Sequence, residues 1–71
     1  MEDKAKICKM LVPVLQATDN LFDLVDLEYE RKANGYEEIV TALFANGAEK
    51  IINVSADSGT AMICDVIKWA L

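Results

Sequence analysis

The sequence predicts a small two-layer α+β domain in the order helix, three-stranded antiparallel meander, helix. Three observations carry that prediction. Apolar residues recur at three- and four-residue steps near both ends, the middle of the chain changes to alternation, and two Asn-Gly pairs, Asn34-Gly35 and Asn46-Gly47, punctuate the alternating region.

Between Asp3 and Thr18, the residues Ala5, Cys8, Leu11, Val12 and Leu15 fall on one face of a helix. Glu2 and Asp3 suit the positive end of its dipole, and Lys6 and Lys9 face outward. Pro13 conflicts with this pattern, because inside a helix proline removes a hydrogen bond and clashes with the preceding turn at about 3 kcal/mol. A kink or a late start is therefore expected, with the helix ending before Thr18-Asp19-Asn20.

From Leu21 to Arg31 the period becomes two, with Val25, Leu27 and Tyr29 alternating with Asp26, Glu28 and Glu30, as in a half-buried strand. A β-rich run over Tyr36 to Ala45 and a shorter one over Lys50 to Val54 follow, each introduced by Asn-Gly. Both residues of that pair tolerate the positive φ of a type I′ turn, so two successive hairpins are expected with residues 36–45 as the central strand. Glu37, Glu38 and Ala42 also tolerate a helix over residues 36–45 capped by Asn46-Gly47, but that arrangement leaves the first strand without a partner. Last comes a helix from Ser58 to Leu71 capped by Asp57, with Ile63, Val66, Ile67 and Ala70 inward and Lys68 in its last turn.

Two-residue turns place Val25, Leu27, Tyr29, Val40, Ala42, Phe44 and Ile51 on the core face of the sheet. Asp26, Glu28 and Glu30 then share the other face with Ile39, Leu43, Ile52 and Val54. A three-residue turn with Gly in a bulge shifts one strand by a residue and turns Ile39, Leu43, Ile52 and Val54 toward the core. In either register the middle strand is apolar on both sides, so an apolar face is left over and self-association is expected.

Residues 1–71 are long enough for a single domain, and a chain of this size buries only about 60% of its unfolded surface. No apolar run approaches the ~20 residues that span a bilayer, and the mixed charges of Met1 to Lys9 do not read as a signal peptide, so a cytoplasmic protein is expected. No linker, repeat or low-complexity segment interrupts the chain.

The net charge of −5 is unevenly placed. Residues 1–18 hold two acids and three lysines, residues 19–38 hold seven acids against two bases, and residues 39–71 hold three acids against two bases. This distribution argues against a basic face for nucleic acid or an anionic membrane and points to a basic protein partner. With no histidine and only Cys8 and Cys64, a zinc site of the usual kind and the Ser-His or Cys-His nucleophile pairs are excluded; no cofactor is implied. The two cysteines read as small apolar helix residues, or as a helix-to-helix disulfide.

Four features bear on function. Asp26, Glu28 and Glu30 form a line of carboxylates at roughly 6.8 Å intervals, from a rise of ~3.4 Å per residue, and with Asp19, Asp23, Glu37 and Glu38 they present a negative row of the kind a basic groove binds. Asp23, Asp26, Glu28, Glu30, Glu37 and Glu38 are therefore the candidate partner-binding residues, beside the plainer readings of a solvated strand face or, least supported, a catalytic carboxylate pair. Ile39, Leu43, Ile52 and Trp69 are the candidate homodimer contacts, Trp69 with Met62 otherwise serving as packing. The run Ser55-Ala56-Asp57-Ser58-Gly59-Thr60 opens a helix with hydroxyls and a glycine, but it lacks the lysine of a phosphate loop and carries Asp57, so helix capping explains it.

The run Lys50-Ile51-Ile52-Asn53-Val54-Ser55-Ala56-Asp57-Ser58 after Asn46-Gly47, with Cys64-Asp65-Val66-Ile67 in the last helix, resembles short uncharacterised phage and mobile-element proteins of Gram-positive bacteria. These end in a hairpin, an Asn-Val-(Ser/Thr)-Ala-Asp-Ser segment and a short helix. The resemblance covers about the last third of the chain and implies structure and a mobile-element origin, with no chemistry. More loosely, the element order and the acidity are similar to small acidic anti-CRISPR inhibitors, which occupy the DNA-reading groove of a nuclease with carboxylates. No residue-by-residue match accompanies that likeness, which implies only a non-enzymatic inhibitor of a host defence or nucleic-acid enzyme; the alternatives are a self-associating structural module or a small-ligand binder.

Overall fold

The computed structural model describes residues 2–71. It contains helix α1 (Lys4–Gln16), strands β1 (Leu24–Arg31), β2 (Glu38–Phe44) and β3 (Glu49–Asn53), and helix α2 (Gly59–Ala70). The strands form one antiparallel meander in the order β1-β2-β3, as the sequence predicts, and α1 packs along β1 with α2 beside it against β3.

Helix α1 starts at the residue its cap dictates. The Asp3 carboxylate accepts a hydrogen bond from the Lys6 amide at 3.0 Å, satisfying one of the free donors at the helix N-terminus. The helix neither starts late nor stops at Pro13, which lies on an exposed stretch of its last two turns. Thr18 closes its end, with amide and hydroxyl both donating to the Leu15 carbonyl. Cys8 and Leu15 are buried as expected, whereas Ala5 is exposed and Ile7 packs on the core in its stead.

Neither Asn-Gly turn is of type I′. In the first, Lys32 pairs with Glu37, Gly35 takes a positive φ of 78°, and the Asn34 side chain accepts from the Tyr36 and Glu37 amides, closing a longer loop that keeps the expected register. In the second, Gly47 alone takes a positive φ, of 88°, while Phe44 donates to the Ala48 carbonyl, which makes a three-residue turn. That turn advances β3 by one residue against the two-residue expectation, so Val40 faces Ile52.

The shift decides which side chains are inside. Ile52 is 8% exposed and Val54 is buried, while Ile51, expected in the core, is 67% exposed. A second irregularity acts on β1, where Val25 is an extra residue between the pairs Leu24 with Phe44 and Asp26 with Leu43. Leu24 and Leu27 therefore both point inward, and Val25, also expected in the core, is 55% exposed. Leu27, Val40 and Ala42 are buried where alternation places them, and Tyr29 and Phe44 pack at the margin.

Opposite the sheet, Cys8 and Leu15 of α1 and Met62 and Val66 of α2 complete the core. Each fully buried Leu, Val or Met contributes about 1.5–3 kcal/mol relative to exposure, so these few residues carry most of the stability of so short a chain. Helix α2 is capped by Ser58 and not by Asp57: the Ser58 hydroxyl accepts from the Ala61 amide. Its buried line runs Gly59, Met62, Val66, so of the expected stripe Val66 is inside, Ile63 and Ala70 are half-buried, and Ile67 is largely exposed. The cause lies at Gly59, where a Cβ would come within 3.1 Å of Glu2 and Ile7, so α2 meets α1 along this glycine. Among the described residues no helix is long and apolar enough to cross a membrane.

Candidate functional site

The candidate carboxylates are divided by the fold between two sides of the sheet. On the helix side, Glu38 is 5% exposed and every polar group it owns is engaged. Its Oε1 accepts from Lys4 Nζ at 2.7 Å and from the Tyr29 hydroxyl at 2.5 Å, with Arg31 at 3.6 Å, and its Oε2 accepts from the Ala56 amide at 3.2 Å. The Glu38 amide donates to the Ser55 hydroxyl, and the Glu38 carbonyl accepts from the Val54 amide. Lys4 donates also to the Asp57 carbonyl at 2.6 Å. One buried carboxylate thereby joins α1, β1, β2 and the β3–α2 turn. The bond from Lys4, then that from Tyr29, holds the Glu38 carboxyl well below the usual range, at about 2.

The same turn contains the strained and unsatisfied groups of the molecule. Ala56 has a positive φ of 63°, a conformation its Cβ disfavours, and its amide is the one bound by Glu38. The neighbouring Asp65 carboxyl, together with burial, raises Asp57 above the usual aspartate range, and Asp57 Oδ2 is buried with no hydrogen-bond partner among the described residues. The first amide of α2, at Gly59, is taken by Glu2 Oε1 at 2.9 Å. Ser55 to Thr60 is thus a capping segment in which the Ser55, Ala56, Asp57 and Gly59 amides are bonded, and a depression of about 720 Å³ is lined by Glu2, Lys4, Tyr29 and Arg31, of which Glu2 holds Gly59 and the other three face Glu38.

Asp26 is also neutralised internally. Lys9 of α1 reaches around the edge of β1 and donates to both of its carboxylate oxygens at 2.8 Å. Asp23 is half-buried in the turn before β1, and Glu37 is exposed in the loop before β2. Asp26, Glu28 and Glu30 keep their line on the opposite face, but Asp26 is bound there by Lys9 and Glu38 lies on the helix side, so Glu28 and Glu30 are the two that stand exposed, with Lys32 3.8 Å from Glu30.

That opposite face is covered by neither helix. From edge to edge it carries Asp26, Glu28 and Glu30 of β1, Ile39, Thr41 and Leu43 of β2, and Glu49, Ile51 and Asn53 of β3. Glu28, Glu30, Thr41, Leu43 and Glu49 line a shallow depression of about 390 Å³. Glu28 and Glu49 make no ion pair among the described residues. The result is an apolar centre with an acidic rim.

The four candidate dimer contacts do not share this surface. Leu43 is half-buried on it and Ile39 is buried on it by its neighbours, but Ile52 belongs to the core, and Trp69 packs on the core margin with its ring 6.2 Å from that of Phe44. The one-residue shift of β3 exchanges Ile52 for Ile51. Cys8 is buried and Cys64 exposed, both as free thiols, and burial pushes the Cys8 thiol up. Among the described residues no group of three or more Cys, Asp or Glu is placed to hold a metal ion.

Glu49 and Ile51 are the members of the open face that the two-residue turn does not place there. The signal for them was the glycine of Asn46-Gly47, which admits the three-residue turn as readily as the two-residue one. Comparison with family models, with curated proteins and with solved structures finds no match.

Proposed function

We propose that this chain is a non-enzymatic binding protein that engages a basic protein partner through the open face of its sheet. The observation that carries this reading is the acidic rim of Glu28, Glu30 and Glu49 around the uncovered apolar residues Leu43 and Ile51, with Lys32 the one base paired to it among the described residues. An apolar centre with a charged rim is the composition of a protein interface, and the sign of the rim selects a positively charged partner. Nucleic-acid enzymes present such surfaces, so an inhibitor of one, of phage or mobile-element origin, is the specific form we propose. The reading differs from the sequence expectation in its residues, since Asp26 and Glu38 are replaced by Glu49 and Ile51.

The test is binding to purified basic nucleic-acid enzymes of a bacterial host, followed by calorimetry over a range of ionic strength. The expected result is a complex that weakens steeply with salt, since exposed charges beyond about 8 Å are screened at physiological strength. The variant carrying Glu28→Lys, Glu30→Lys and Glu49→Lys loses it by more than about tenfold. Retention of full affinity by the triple variant overturns the assignment of this face.

A further inference from the structure

The two edges of the sheet are treated differently by the chain. The pairing of Lys32 with Glu37 turns the main-chain groups of even-numbered β1 residues toward β2, so those of Leu27, Tyr29 and Arg31 point outward. This edge is obstructed. The bulge at Val25 bends it, Gln16 Nε2 donates to the Leu24 carbonyl, and the Leu27 amide donates to Asp26 Oδ1, held in place by Lys9. Bulges and charged groups on an edge are the devices that prevent strand addition.

Strand β3 has no bulge and no side chain bonded to its outward main-chain groups among the described residues, and its two charges, Glu49 and Lys50, are of opposite sign. The bonds from Val54 to the Glu38 carbonyl and from Phe44 to the Ala48 carbonyl turn even-numbered residues toward β2. The amides and carbonyls of Glu49, Ile51 and Asn53 therefore point away from the sheet, and no side chain among the described residues bonds to them. Charge makes the same distinction. β1 holds Asp26, Glu28 and Glu30 against Arg31, whereas β3 holds one acid, Glu49, and one base, Lys50, and is uncharged as a unit within a chain of net charge −5.

We propose that two copies of this chain pair edge to edge through β3, antiparallel about a two-fold axis at Ile51, to give a continuous six-stranded sheet. This register is self-complementary. Ile51 exchanges both main-chain hydrogen bonds with Ile51 of the second copy, and Glu49 lies opposite the Asn53 carboxamide, so that no acid meets an acid across the seam. The axis is perpendicular to the sheet, so the helix layers stay on one side and the two open faces join on the other. The pairing does not depend on the basic partner proposed above: it uses main-chain groups of β3, and that partner uses side chains centred on Glu28, Glu30 and Glu49.

Sedimentation equilibrium between ~10 μM and ~1 mM, with amide exchange on the same samples, tests it. The expected result is a monomer–dimer equilibrium in which exchange at Glu49, Ile51 and Asn53 slows as concentration rises. Ile51→Pro removes an outward amide that β2 does not use and is expected to leave a monomer. Should that variant fail to fold, Ile51→Lys, which sets two cations face to face at the axis, reads the same contact and is expected to weaken dimerisation at least tenfold. The variant Glu28→Lys with Glu30→Lys is expected to dimerise normally, which separates this interface from partner binding. A monomer at the highest concentration, or a dimer undiminished in a folded Ile51 variant, overturns the proposal.

Discussion

The two faces of the sheet hold carboxylates under opposite conditions. On the helix side, Glu38 is dry and bonded to Lys4, Tyr29 and the Ala56 amide, so its charge is spent on joining four elements of one chain. On the open side, Glu28 and Glu49 meet water, and no base pairs with them among the described residues. Residue type is the same on both faces. What differs is whether a base of the protein's own helix layer reaches it, and Lys4 and Lys9 reach only Glu38 and Asp26.

The contrast is sharpest in the apolar residues of β3, where the largest effects are expected. Ile52→Ala empties a core position and is expected to cost about 2–4 kcal/mol, while Ile51→Ala in dilute protein costs less than about 0.5 kcal/mol. Chemical denaturation of the pair measures both. Equal losses would mean that the register of β3 is not the one described.

Next is the buried carboxylate. Glu38→Gln keeps the shape but removes the charge that Lys4 faces, and is expected to lower Tm by on the order of 10 °C at neutral pH, whereas Glu28→Gln moves it by less than about 2 °C. The pH dependence has a definite sign. The folded Glu38 carboxyl titrates at about 2 against an ordinary 4.5, so its stabilisation is complete above 4.5 and is lost as pH falls from there through 2. Thermal scans across that window are expected to show a steeper loss in the native protein than in Glu38→Gln; parallel curves would remove Glu38 from its role.

The smallest effect has the opposite sign. Asp57 is raised by the neighbouring Asp65 carboxyl and by burial, so the folded state holds its proton more tightly than the unfolded one. Stability is thus lost as pH rises from 3.8 through the raised value. Asp57→Asn supplies a donor toward Asp65 without a charge and is expected to raise Tm by about 2–4 °C at neutral pH and by less in acid. A lower Tm at neutral pH would show that the Asp57 charge is needed where it stands.

Much of this was legible from local pattern. The helical period of Cys8, Leu11, Val12 and Leu15, the alternation about Leu27 and the two glycine turns determine two helices and three strands, because each depends on residues close in sequence. The inward places of Leu27, Val40 and Ala42 follow from the same alternation. By itself the sequence also determined that acid is concentrated in residues 19–38 and that one face of so thin a sheet would lie open. Only the tertiary structure decided which face, and which acids remain on it. One extra residue at Val25 and one more in the turn ending at Gly47 exchange inside for outside along a strand, since side chains alternate with period two. Pairings such as Lys4 with Glu38 and Lys9 with Asp26 join residues 34 and 17 positions apart, a separation that no local pattern encodes and that packing of α1 on the sheet alone brings together.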